Sequence, residues 1–215
     1  VELCCALSLG GLTPTTVMMA SAGADEIPFV AMIRPRAGDF IWTPAEVDHM
    51  QGEIDEALEM GAEGLVLGAS RPDGTLDAKV LKALVKDIPD GVDLVLHRCI
   101  DLTPDPLAAL ETAFVLGFNR VLTSGGAARA VDGIGRLRAM FDRAAGRIEI
   151  MPGSGISPEN IGQLAALLPL TSVHASCAVS LPQDARAVAM GFTTGERTET
   201  SLARVRAMRA ALDAL

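Results

Sequence analysis

The chain has 215 residues, nearly half of them apolar but only 3% aromatic, and a formal charge of −9. It is long enough for one sizeable core, filled by Leu, Val, Ile, Ala and Met rather than by rings. The negative balance argues against a nucleic-acid partner, which needs clustered Lys and Arg; no apolar run approaches the roughly 20 residues of a membrane helix, and no leader pattern stands at the start, so a cytoplasmic location is expected. Cys4, Cys5, Cys99 and Cys177 have no metal-finger spacing and read as free thiols.

Short apolar runs alternate with longer amphipathic stretches. The expected strands are Val1–Cys5, Phe29–Ile33, Gly64–Leu67, Asp93–His97, Arg120–Leu122, Arg147–Met151 and Ser172–His174. Near-continuous apolar runs of this kind suit parallel strands covered by helices. The expected helices are Pro44–Met60, Asp77–Asp87, Pro106–Leu116, Ala127–Ala144, Pro158–Leu167 and Ser201–Leu215. Thr43-Pro44-Ala45-Glu46 combines a capping hydroxyl, Pro at the first helical position and a Glu that reaches back. Thr103-Pro104-Asp105-Pro106 and Ser157-Pro158-Glu159-Asn160 open helices the same way, and Gly61 and Gly117 punctuate helix ends. A doubly wound sheet would announce a Gly-rich fingerprint after its first strand, and none is found. The pattern therefore predicts one α/β domain over residues 1–215, a (β/α)₈ TIM-type barrel with seven visible strands. Eight strands close such a barrel, so the first βα unit is expected upstream of Val1.

In parallel barrels the site forms at the strand C-termini. Alternation along the first strand puts Glu2 and Cys4 on one face, directed into the barrel. A carboxylate there needs a partner, and Arg34, Arg36 and Arg98 are the expected ones. Together these arginines could anchor a small anion, because guanidinium offers a rigid fork to carboxylate or phosphate. Thr123 and Ser124 would add hydroxyls, and the loop carrying Gly153 and Gly155 would offer backbone N–H groups ahead of a helix. Glu2, Asp39, His97 and Asp101 are candidates for general acid–base chemistry, Asp101 alternatively orienting His97. The same groups would equally suit an ion-pair network that locks the loops over the barrel. No lysine stands at a strand end, which argues against a Schiff-base aldolase.

Several phrases, in order, resemble one family. Val1-Glu2-Leu3-Cys4 followed by Gly10-Gly11-Leu12-Thr13-Pro14 is similar to the opening motif of the CutC copper-homeostasis family. Met32-Ile33-Arg34-Pro35-Arg36-Ala37-Gly38-Asp39-Phe40 resembles its most distinctive stretch, with Ala37 where the family has Gly. Leu96-His97-Arg98-Cys99-Ile100-Asp101 resembles its Phe-His-Arg-Ala-Phe-Asp segment, with Cys99 as a departure. Arg120–Gly125, Ile150–Ile156 and Val173–Ser176 complete the series, while the region after Ser180 matches loosely. The resemblance implies a (β/α)₈ barrel, a cytoplasmic location, homodimers and a role in copper homeostasis. Cu(I) prefers thiolate or thioether ligands and accepts imidazole. Cys4, Cys177 and His174 at the strand ends are the expected metal ligands at the barrel mouth, with Cys99 and His97 nearby. Against copper, no Cys-x-x-Cys or Met-x-x-Met pair is present. A small anionic metabolite is the alternative ligand.

Overall fold

A computed structural model describes residues 1–193 and 195–215. Six parallel strands lie in sequential order: β1 (Glu2–Leu3), β2 (Val30–Met32), β3 (Gly64–Leu67), β4 (Asp93–Leu96), β5 (Arg120–Thr123) and β6 (Glu149–Pro152). Helices α1 (Thr16–Ala24), α2 (Pro44–Glu59), α3 (Ala78–Val85), α4 (Pro106–Val115), α5 (Ile134–Ala144) and α6 (Ile161–Leu167) cover them. This is the TIM-type α/β fold expected from the alternation.

Side-chain alternation builds two apolar layers from one sheet. Met32, Val66, Val95, Leu122 and Met151 point inward and pack together, with Cys4 and Val30 against them. Ala31, Ile33, Leu65, Leu67, Leu94, Leu96, Val121 and Ile150 face outward, where Met50, Leu81, Leu110, Leu137 and Leu164 of the helices cover them. The floor of the half-barrel is polar instead. Arg120 on β5 bridges Asp93 on β4 at 3.1 Å and Glu149 on β6 at 2.6 Å. Glu149 also accepts hydrogen bonds from Thr171 and Ser172.

Local chemistry explains the helix starts. Thr43 and Glu46 form the expected reciprocal capping box of α2, with Pro44 in the first turn. At α4 the cap is Asp105, whose carboxylate accepts from the N–H groups of Leu107 and Ala108. Two expected helices begin late. After Gly125 and Gly126, at φ 71° and 68°, a conformation that suits glycine, Ala130–Asp132 forms a separate 3-10 turn and α5 starts only at Ile134. In the next unit Asn160 Oδ1 accepts from Ser157 N–H, so Ser157–Asn160 forms a separate turn and α6 starts only at Ile161.

Three further departures concern the ends. The expected strand at Ser172–His174 is reduced to a single parallel bridge between Gly153 and His174. Residues Ala178–Pro182 (β7) and Glu196–Thr200 (β8) pair as an antiparallel hairpin outside the main sheet, enclosing a short helix α7 (Ala185–Ala189). Finally α8 (Leu202–Asp213) packs on α6 and buries Met208. Among the described residues no helix is long and apolar enough to cross a membrane.

Candidate functional site

The C-terminal ends of the strands open into a cavity of about 950 Å³, bordered by residues of β1, β2 and β5, by His97 and Arg98 after β4, and by α8. Glu2, Cys4, Arg34, His97, Arg98, Gly155, His174 and Cys177 of the expected set border it. Arg36, Asp39, Asp101, Thr123, Ser124 and Gly153 do not.

Arg34 follows β2 and is the one arginine among the described residues that is buried, at 6% exposure. Its Nη1 donates to the carbonyls of Leu9 and Gly11, and its Nη2 to that of Gly38. Its Nε has no hydrogen-bond partner among the described residues, and no carboxylate pairs with it. The guanidinium lies 5.1 Å from the centre of the Phe40 ring. Burial, reinforced by Arg36, lowers its pKa, yet an arginine stays charged in such surroundings.

His97 follows β4 and is 3% exposed. Its Nδ1 accepts from the backbone N–H of Cys99, so in the neutral ring Nε2 carries the hydrogen. That Nε2 also lacks a partner. Burial, and then the charge of Arg34, push its pKa down to about 3, so the ring is neutral at ordinary pH. Its ring centre is 4.5 Å from that of Phe40, so Phe40 touches both groups. Gly68 makes room for this ring: a Cβ there would lie 2.4 Å from His97 Cε1.

On the β1 side, Glu2 does face inward as its alternation predicts, but its neighbour is not an arginine. Its Oε2 lies 3.6 Å from His174 Nδ1, beyond hydrogen-bond reach, and has no other partner. Burial raises the Glu2 pKa, with His174 and the N-terminal amine opposing it. Cys4 is pushed up to about 11, by burial first and then by Glu2 and Cys5.

The other expected residues are committed elsewhere. Arg36 pairs with Glu46 of the α2 capping box and with Asp39, and stacks on Trp42. It clamps the loop after β2 onto α2, and Trp42 Nε1 donates to Gly68 O at 2.8 Å. Asp101 accepts from Arg98, from the hydroxyls of Thr123 and Ser124, and from the N–H groups of Ser124 and Gly126. It thus fastens the loops after β4 and β5 and makes no bond to His97, whose Nδ1 is held by its own turn. Gly153 N–H is used by Thr123 O.

The donor set does not form a copper cage. Cys4, Cys177 and His174 border one cavity, but among the described residues no three His, Cys, Asp or Glu side chains gather as a metal site. The Cys5 thiol donates to Thr13 O at 3.1 Å, and burial raises the pKa of Cys99. Cu(I) favours thiolates, and these surroundings keep Cys4 and Cys99 as thiols.

What the sequence did not disclose is that α8 borders the same cavity as Arg34. Arg204, Val205, Met208 and Leu212 of α8 border the cavity. Their helical spacing was visible, but nothing in it separates a wall from a surface.

Comparison with known proteins agrees with the sequence phrases and the fold. The chain is 50% identical over 216 residues to the family protein CutC from Sinorhizobium medicae (strain WSM419), covering 100% of this chain and 88% of the relative. The crystal structure of CutC from Streptococcus agalactiae superposes with a TM-score of 0.77 at 31% identity, over 81% of this chain and 86% of that one. An aldolase, QR15, shares the fold alone, with a TM-score of 0.57 and 17% identity over 77% of each chain. The CutC family pattern matches residues 1–179, and the chain belongs to the CutC family.

Proposed function

We propose that this CutC-family barrel binds a small anionic metabolite at the mouth of the sheet, with Arg34 as its anchor. One observation carries the reading: among the described residues Arg34 is the one buried arginine, it donates only to carbonyl oxygens, and its Nε has no partner. Arg36, Arg98, Arg120, Arg143, Arg147 and Arg204 each meet a carboxylate. A buried cation without a counter-charge is costly, and an anionic ligand would supply the missing charge through charge-assisted hydrogen bonds. The proposed roles of Glu2 and His97 are proton transfer and hydrogen-bond donation to that ligand. Arg36, Arg98, Asp39, Asp101, Thr123 and Ser124 hold the loops that shape the mouth.

A thermal-shift panel of acetate, propionate, pyruvate and inorganic phosphate tests this. An anion held at about 100 times its Kd should stabilise the native protein by about 2.7 kcal/mol. Arg34→Met should melt without any such shift. If none of these anions stabilises the protein, or Arg34→Met responds like the native chain, the reading fails.

Copper homeostasis comes with the family name, and the Streptococcus agalactiae relative is named for it. Direct Cu(I) binding by this chain is supported by one observation, that Cys4, Cys177 and His174 share the cavity. Competition with a Cu(I) chelator, on the native chain and on Cys4→Ser/Cys177→Ser, separates a defined site from adventitious thiols. Equal, micromolar-or-weaker affinity in both would sink the defined site. A reducing, cytoplasmic setting is consistent with four free cysteines. Self-association fits the exposed Leu102, Phe114 and Val115, and sedimentation velocity would read it directly.

A further inference from the structure

Two nitrogens beside the mouth, Arg34 Nε and His97 Nε2, are buried and have no partner among the described residues. Both residues border the cavity. An anchor for an anion thus stands at the opening, but its unmet donor is shut away from solvent. A ligand can use it only after something moves.

The surroundings limit what that can be. The Arg34 guanidinium is pinned by the carbonyls of Leu9, Gly11 and Gly38 at 2.8–3.0 Å. The His97 ring is fixed by the N–H of Cys99 and by its close seat on Gly68. The segment that supplies the Leu9 and Gly11 carbonyls is closed at its base by two backbone bonds between Cys5 and Leu12, of 3.0 and 2.9 Å. Phe40 differs from all of these. Its half-buried ring lies 5.1 Å from the Arg34 guanidinium and 4.5 Å from the centre of the His97 ring, and an aromatic ring makes no hydrogen bond that turning would break. Its backbone is held: Ser70 N–H donates to Phe40 O at 2.8 Å, and Arg36 donates to the carbonyls of Asp39 and Ile41 on either side. The freedom left to Phe40 is therefore in its side-chain torsions. The ring borders the cavity of about 950 Å³, which gives it room to turn.

We propose that Phe40 is a side-chain gate on the Arg34 anchor, closed on the guanidinium and the imidazole when the mouth is empty and turned aside to admit an anion. This rests on the anion-site reading above and adds how that site is reached. The negative face of the ring is a partial substitute for the missing counter-charge, so the closed form tolerates an arginine without a carboxylate. An incoming anion replaces that face with a full charge and charge-assisted hydrogen bonds. If the open form is a minor state of about 10% or less, apparent affinity is reduced by the same fraction. Removing the ring should give that affinity back.

The test uses the native protein and Phe40→Ala, both labelled with ¹⁵N. Neither Arg34 Nε–H nor His97 Nε2–H is hydrogen-bonded, so burial alone slows their exchange with water. Without ligand, both should exchange at least about tenfold faster in Phe40→Ala than in the native protein, while Trp42 Nε1–H, bonded to Gly68 O, keeps its rate. Isothermal titration with pyruvate should then show Phe40→Ala binding at least about tenfold more tightly than the native chain. A ring that merely formed part of the binding wall would give the opposite sign. Because alanine could loosen the fold, the native protein supplies a third reading. The nuclear Overhauser contact between the Phe40 and His97 rings should be present without ligand and vanish at saturating pyruvate. Unchanged exchange in Phe40→Ala, equal or weaker pyruvate binding by it, or a ring contact that survives saturation would each overturn the gate. If pyruvate binds the native protein in an Arg34-dependent way with the ring contact intact, the gate falls and the anion site stands. If neither protein binds pyruvate, the gate falls, and the four-anion panel alone decides the anion site.

Discussion

Arg34 and Arg36 stand two residues apart in the same loop, yet their surroundings could hardly differ more. Arg36 meets Glu46 and Asp39 near the surface, whereas Arg34 is buried among carbonyls. The sequence showed three arginines at the mouth and could not say which would be left without a carboxylate. That outcome depends on Glu46, a capping residue of the following helix, and on Asp101, a loop acid that closes on Arg98 and on two hydroxyls. His97 carries a separate prediction. Its folded pKa is depressed from 6.5 to about 3, so the unfolded chain takes up a proton at a higher pH than the folded one. Its contribution to stability is thus complete above pH 6.5 and is lost as the pH falls toward 3, on the order of a few kcal/mol in all. Urea unfolding of the native chain between pH 7 and 4 should show this loss, and His97→Gln should lack that part of the slope. A parallel decline in both proteins would assign it to other groups.

At the level of the elements, the parallel strands were legible wherever both faces are buried. Gly64–Leu67 is seen with the boundaries its apolar run suggested. Ser172–His174 shares that apolar look but reduces to one bridge. One-residue pairing depends on neighbours in space, which a short run does not encode. The hairpin of β7 and β8 escaped notice for a related reason: Glu196–Thr200 is polar and exposed throughout, without the alternation that marks a half-buried strand. Gly68 shows the opposite case, where a single glycine decides how two elements meet. A methyl group there would lie 2.4 Å from His97 and 2.5 Å from Cys99 Sγ. Gly68→Ala should therefore cost about 1–3 kcal/mol through overpacking and weaken anion binding by displacing the imidazole. Calorimetric unfolding together with an anion titration checks both, and a variant with native stability and affinity would remove Gly68 from the account.

Across the whole molecule, the half-barrel is apolar in the middle, tied by ions at its floor and supplied with unmatched donors at its mouth. The floor network of Asp93, Arg120 and Glu149 links three consecutive strands. Replacing Arg120 by Met leaves two carboxylates facing each other. Because Arg120 is 30% exposed, solvent softens the penalty to about 1–3 kcal/mol, below that of a fully buried pair. Chemical denaturation should show this destabilisation with ligand affinity at the mouth unchanged, and a loss of affinity equal to that of Arg34→Met would contradict the separation of floor and mouth. The strand-end reading of the sequence anticipated a polar, residue-rich opening at this end of the sheet, and the cavity lies there. The identity of the ligand was less legible, because thiols, imidazoles and guanidinium groups all converge near one opening, and only their partners distinguish them. The most direct test is a crystal structure of the protein grown with pyruvate. The expected result is the carboxylate on the Arg34 guanidinium; pyruvate seated instead on the Gly153–Ser157 loop or on Arg98, with Arg34 untouched, would contradict it.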